Sequence, residues 1–199
     1  MRSVGGLPAH VAGAFEELSS CQQSPSGDYF IFDRRAHAVF SVPAGARSGP
    51  KKIVAVGAEA GRVLRPTAFD FAPDSTFVIA DAPLGAQRVQ VFYETGARLG
   101  GFTFPKTDAP LITSRGLVVS GVASLEYTGE SLFVSQPELG ALVTEYALDG
   151  STARTFGELR RTGQEQDRDV HIALNIGRLV VNPKGGFYYV FLAGEPVFR

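Results

Sequence analysis

The sequence predicts an all-β fold: a partial β-propeller of about four blades, each an antiparallel four-stranded meander, the last incomplete. Three observations carry this. Within Pro66–Phe102, four short strands follow one another, Thr67–Phe71, Phe77–Asp81, Arg88–Tyr93 and Arg98–Phe102. Turn chemistry separates them at Pro73-Asp74-Ser75, 82–87 and Glu94-Thr95-Gly96. Ala68/Asp70 alternate with Phe69/Phe71, and Arg88/Gln90 with Val89/Val91, the period-2 pattern of a half-buried strand. The third observation is recurrence. The second strand reappears at Tyr29–Asp33, Phe77–Asp81, Leu132–Gln136 and Phe187–Phe191, with starts 48, 55 and 55 residues apart.

A turn precedes each of these strands: Pro25-Ser26-Gly27-Asp28, Pro73-Asp74-Ser75, Thr128-Gly129-Glu130 and Pro183-Lys184-Gly185-Gly186. A third strand follows each and ends on an aromatic, Phe40, Phe92, Tyr146 or Phe198. Periods of this size mark repeat architectures. The competing arrangement is a β-sandwich, but sandwiches rarely keep turn type and aromatic anchors in step.

Taken in order, residues 1–13 form an irregular lead-in broken by Gly5, Gly6 and Pro8, and the propeller occupies 14–199. The blades span approximately 14–57, 66–104, 117–157 and 178–199. The first uses Phe15–Gln23, Asp28–Asp33, Ala36–Val42 and Lys51–Val56, with His37 opening its third strand and Asp33-Arg34-Arg35 as a solvated charged corner. After the second blade, Thr103–Gly116 reads as loop because Pro105 and Pro110 exclude regular helix. The third blade uses Leu117–Tyr127 with a bulge near Gly121, then Leu132–Gln136, Leu142–Leu148 and Thr152–Phe156. Glu158–Gly177 is a charged crossover in which Gln164–Leu174 has the pattern of a short helix. The fourth blade begins at Arg178–Asn182, and ending at Arg199 would leave a sheet edge unpaired. The expectation is a propeller whose remaining blades lie outside this chain.

Arg88-Val89-Gln90-Val91-Phe92, followed by Glu94-Thr95-Gly96, resembles the third strand and turn of NHL-type repeats, as found in TolB-like propellers. The second blade matches that pattern well, including the strand ending in Ala80-Asp81. The first and third match loosely; Leu142–Gly150 keeps the Tyr and the Asp-Gly turn without the Arg. The resemblance covers about 14–199 and implies a six-bladed β-propeller. It implies no catalytic residues, because the family is a scaffold whose members differ in activity.

Composition narrows the function. A formal net charge of -1 argues against a nucleic-acid partner, since phosphate backbones demand clustered Lys and Arg. Cys21 is the single cysteine, so neither an intrachain disulfide nor a cysteine metal cluster is expected, and Cys21 reads as a small apolar side chain. No run of about 18 apolar residues is present to span a bilayer, and 1–15 lacks the apolar core of a signal peptide. Localisation stays open.

In such a meander the first-to-second and third-to-fourth turns share one end of the blade. The second-to-third loops and the links between blades share the other. Most long segments, 58–65, 82–87, 103–116, 137–141 and 158–177, fall at this second end, where function concentrates. The binding candidates are Arg160, Arg161, Asp167, Arg168, Asp169 and His171, with the arginines and the histidine engaging an acidic or polar ligand and Asp167 and Asp169 orienting them. The alternative is a solvated crossover whose charges pair with one another.

A metal-dependent propeller enzyme of the lactonase or lyase type would need ligands on the innermost strands. The candidates there are Gln22, Gln23, Asp70, Glu126 and Asn182. Counted back from each first turn, Gln22 falls level with Asp70, Leu125 and Val180, so the polar residues are out of register. His10, His37 and His171 are scattered, and catalytic motifs such as Gly-x-Ser-x-Gly and His-Glu-x-x-His are absent. No catalytic residue, metal ligand or cofactor is therefore assigned. The function expected is a noncatalytic binding scaffold for a protein, peptide or small ligand. The rival is a propeller enzyme, metal-dependent or a quinone-type oxidoreductase, with key residues partly in further blades.

Overall fold

The computed structural model describes residues 15–45, 49–105, 113–114, 117–118, 121–182 and 186–193. They form a partial β-propeller. The first blade pairs β1 (Leu18–Gln23), β2 (Tyr29–Asp33), β3 (Ala38–Val42) and β4 (Lys51–Val54) in sequential order, and the second does the same with β5 (Ala68–Phe71), β6 (Thr76–Asp81), β7 (Arg88–Tyr93) and β8 (Arg98–Thr103). A two-residue pair, β9 (Thr113–Ser114) with β10 (Leu117–Val118), lies in the connection to the third blade. That blade comprises β11 (Ser124–Tyr127), β12 (Ser131–Ser135), β13 (Ala141–Ala147) and β14 (Thr152–Glu158). The helix α1 (Arg168–Asn175) precedes β15 (Gly177–Val181), which pairs with β16 (Phe187–Phe191). The innermost strands are neighbours in turn: β1 beside β5, β5 beside β11, β11 beside β15.

Three local expectations are corrected. Leu117–Tyr127 is not one strand: β10 ends at Val118 and β11 begins at Ser124, with Gly121 between them at φ +86°, a conformation that disfavours a side chain. The connection Thr103–Gly116, read wholly as loop, therefore carries β9. His37 closes the 34–37 turn at φ 47° instead of opening β3, its amide donating to Arg34 O at 3.3 Å. The aromatic anchor Phe198 lies outside the described residues.

Blades cohere through aromatic and aliphatic layers. Between the first and second lie Phe30, Phe32, Phe69, Phe77, Ile79 and Phe92. Between the second and third, Val78, Val89 and Val91 meet Leu125, Tyr127 and Tyr146. Phe133, Phe156 and Phe187 continue the layer to the fourth, with centroids 5.3–6.2 Å apart. Strand alternation explains the split within β7: Val89 and Val91 face the third blade, while Phe92 faces the first.

The same alternation gives the Arg-Val-Gln-Val-Phe run a mechanical meaning. Arg88 and Gln90 share the face of Phe92 and reach the 58–65 link. Gln90 accepts from Gly61 N at 2.9 Å and donates to Arg62 O at 2.7 Å. Arg88 clasps Asp81 with Nε at 2.8 Å and Nη2 at 2.9 Å, and donates to Ala58 O at 2.8 Å. Asp81 also accepts from Leu64 N at 2.9 Å. Its counterpart Asp33 is equally buried and accepts from Glu16 N at 2.7 Å, Glu17 N at 3.2 Å and Ala36 N at 2.9 Å. Within the corner read as solvated, Asp33 is instead a buried tie for three backbone amides, while Arg35 is exposed. In the third blade the position belongs to Gln136, also buried, which accepts from the Tyr146 hydroxyl at 3.2 Å.

Candidate functional site

The innermost strands bring their side chains to shared levels, set by pairing with the second strands. Gln22 pairs with Phe30, Asp70 with Val78, Glu126 with Phe133 and Val180 with Tyr188, and each partner is the second residue of the recurrent strand. Gln22, Asp70, Glu126 and Val180 therefore form one tier. This overturns the register counted from the turns. The first two blades place five residues between the paired strand ends, 24–28 and 72–76, but the third places four, 128–131. A count carried back from the second-strand starts crosses these turns, so the shorter third turn displaces it by one, and Glu126, not Leu125, is level with Asp70. Gln23 and Asn182 do not join the tier; Gln23 turns back to Gly27 O at 2.9 Å.

The tier is tied laterally. Gln22 donates to Asp70 Oδ1 at 2.7 Å, and its carbonyl oxygen accepts from Phe71 N at 2.7 Å. Asp70 Oδ2 accepts from Tyr127 N at 2.6 Å. The first two blades thus each send one polar side chain from this tier to the innermost strand of the next. Burial pushes the Asp70 carboxyl up, and the bonds from Tyr127 and Gln22 hold it partly down. Glu126 is half-buried, and among the described residues no hydrogen bond reaches its carboxylate. Burial, then the charge of Asp70, pushes Glu126 up to about 8.

A cavity of about 230 Å³ runs along these strands. It is lined by Ser19, Ser20, Gln22, Asp70, Glu126 and Arg178, together with Arg34 in the second-to-third turn. Gln22, Asp70 and Glu126 lie in the trailing halves of the innermost strands, whereas Ser19, Ser20 and Arg178 lie in the leading halves and Arg34 in a second-to-third turn, so the cavity extends from the inner tier toward the long-loop face.

Glu126 makes folding itself pH-dependent. Its folded value lies above the usual 4.5, so between about 4.5 and 8 the native state keeps a proton that the unfolded chain has lost. Stability attributable to it is therefore present in acid, falls as pH rises through that window and levels off above it. Glu126→Gln removes this loss. Urea unfolding should show the variant gaining roughly 2 kcal/mol on wild type between about pH 5 and pH 8.5, a figure reduced for solvent access at the cavity. Parallel pH profiles would show that Glu126 titrates normally.

The crossover residues do not converge on one point. Arg160 is a brace: Nη2 donates to Leu174 O at 2.6 Å and to Ala193 O, and the guanidinium lies 4.3 Å from the Phe191 ring centroid. Asp167 caps α1, accepting from Val170 N at 3.1 Å. Arg168 and Asp169 occupy the exposed first turn, and Asp169 suits the positive end of the helix dipole. His171 Nδ1 meets Thr162 Oγ1 at 2.7 Å. Arg161 is exposed. Among the described residues these charges form no ion pairs with one another.

No protein-family model matches the chain, and no curated protein matches it. Solved structures do match. A protein of unknown function from Bacteroides caccae aligns with TM-score 0.56 at 11% identity, covering 88% of this chain and 53% of its own. Virginiamycin B lyase from Staphylococcus aureus, a propeller-type fold, aligns with TM-score 0.54 at 8% identity, covering 89% and 53%. The chain spans about half the length of each. At these identities the likeness concerns the fold alone.

Proposed function

We propose that this protein is a noncatalytic, NHL-like β-propeller scaffold that binds its ligand or partner at the long-loop face, through the axial cavity. The observation that carries this reading is the cavity itself. It extends toward that face, and its inner tier is an acid pair whose second member, Glu126, has no hydrogen-bond partner among the described residues. The crossover 158–177 belongs to the same face, with Arg161, Arg168 and Asp169 as rim contacts. Arg160, Asp167 and His171 act there through their hold on the crossover.

The wider proposal is a closed, six-bladed ring in which further blades complete the wall. Two features support it. Tyr188 and Val190 stand where Phe30/Phe32 and Val78/Ala80 are buried by the following blade, yet they are 49% and 36% exposed. The resemblance of the second blade to NHL repeats favours six blades over other counts. The rival reading is acid–base catalysis, favoured by a carboxyl held protonated near neutrality.

The test is NMR screening of a small-molecule library against the intact protein. Binders should shift amides of β1, β5 and β11, lose affinity in Glu126→Ala and leave unaltered. Binders mapping only to the short-turn face would overturn the site. Chemical conversion of a binder would overturn the noncatalytic reading.

A further inference from the structure

The axial cavity carries charge of opposite sign at two depths. Its inner tier holds Asp70 and Glu126. Two residues nearer the long-loop face, the same pairing rule defines an outer tier: Ser20 pairs with Phe32, Ala68 with Ala80, Ser124 with Ser135 and Arg178 with Val190. A strand rises about 3.3 Å per residue, so the tiers are about 7 Å apart.

The groups at each tier differ in what they have left to offer. Asp70 is fixed, with Gln22 on one oxygen and Tyr127 N on the other. Glu126 beside it has no hydrogen-bond partner among the described residues. Above them, Arg34 donates to Glu17 Oε1, a pair that is neutral as a unit. Arg178 is exposed, lines the cavity and forms no ion pair among the described residues. The remaining outer-tier polar groups, Ser20 and Ser124, are uncharged.

We propose that the cavity binds a small zwitterion, its cationic group between Asp70 and Glu126 and its anionic group at Arg178, the two charges separated by about 7 Å along the cavity axis. The proposal rests on the axial cavity being the binding site. A simple anion would meet the two acids at the inner tier, and a simple cation would leave Arg178 uncompensated. The inner tier has no histidine or cysteine, and among the described residues no three His, Cys, Asp or Glu side chains cluster to hold a metal ion. A zwitterion answers both tiers at once. Its cation stabilises ionised Glu126 against the charge of Asp70, so binding near neutrality releases a proton, and affinity rises with pH until Glu126 is ionised in the free protein. The charged groups governing this titration are Asp70 from β5, Arg178 from β15, and the Arg34–Glu17 pair at the start of the first blade.

The probes are 4-aminobutanoate, 5-aminopentanoate and 6-aminohexanoate, titrated calorimetrically into the intact protein beside pentylamine and pentanoate. One of the three amino acids should bind at least ~tenfold more tightly than either singly charged analogue, a difference of about 1.4 kcal/mol. Glu126→Gln and Arg178→Gln should each remove that advantage, with urea midpoints confirming that both variants fold. Buffers of different ionisation enthalpy should reveal proton release in wild type and none in Glu126→Gln. Pentylamine binding as tightly as the amino acids, or full affinity in Arg178→Gln, overturns the zwitterion and leaves the cavity as the binding site. No binding by any probe overturns the zwitterion. If library binders also leave β1, β5 and β11 unshifted, the cavity reading fails with it.

Discussion

Asp81→Ala should cost about 3–5 kcal/mol of stability, measured as the loss in urea unfolding free energy. The Asp81 carboxylate is fully buried, and the Arg88 side chain is 16% exposed. Removing the acid leaves the guanidinium in that setting with its two best bonds gone and strands the Leu64 amide as well. The Arg88 bonds to Ala58 O and Arg62 O also hold the 58–65 link, so its hydrogen exchange should quicken. The double replacement Asp81→Leu with Arg88→Met should cost less than the sum of the single ones, because it removes both charges together. A cost below about 1 kcal/mol for Asp81→Ala would mean that the pair is effectively solvated and that the link is held by other contacts.

That pair also shows why the second blade was the most legible part of the chain. Its Asp and Arg lie at pairing distance in sequence and in space, since Asp81 and Arg88 are register partners across β6 and β7. Local strand alternation and turn chemistry are short-range signals, and they located the second strands of all four blades. Asp33 was harder. Its partners are the amides of Glu16 and Glu17, which only the folded chain brings beside it, so its local sequence looked like a solvated corner.

The site was legible in composition but not in register. Gln22, Asp70 and Glu126 were all visible as candidates, and a turn one residue shorter in the third blade concealed their common level. The signal that could have revealed it is alternation: Leu125/Tyr127 flank Glu126 as Phe69/Phe71 flank Asp70. The crossover illustrates the opposite limit. Charge density singled out 158–177, yet density does not say which side chains are already occupied. Arg160 spends its donors on backbone carbonyls, and Asp167 caps a helix.

Phe92→Ala should destabilise by about 3–5 kcal/mol, and Tyr146→Ala by a similar amount. Phe92 is fully buried and stacks on Phe77 with centroids 5.2 Å apart, in the layer joining the first two blades. Tyr146 occupies the same position in the third blade, packed 5.1 Å from Phe104 and 5.6 Å from Phe102. Truncating either leaves a cavity between blades that rigid strands cannot close. The two differ in one respect that a milder substitution isolates. Tyr146→Phe keeps the ring and removes the donor to Gln136 Oε1, so it should cost about 1–2 kcal/mol from the buried acceptor left unmet. Tyr93, the next residue after Phe92, points the other way and is 46% exposed. Tyr93→Ala should therefore stay within about 0.5 kcal/mol of wild type. Because a one-residue slip would exchange the two faces of β7, the Phe92/Tyr93 contrast reads the register directly. Equal losses at the two positions, or a larger loss at Tyr93, would place β7 one residue out of step with its pairing to β6.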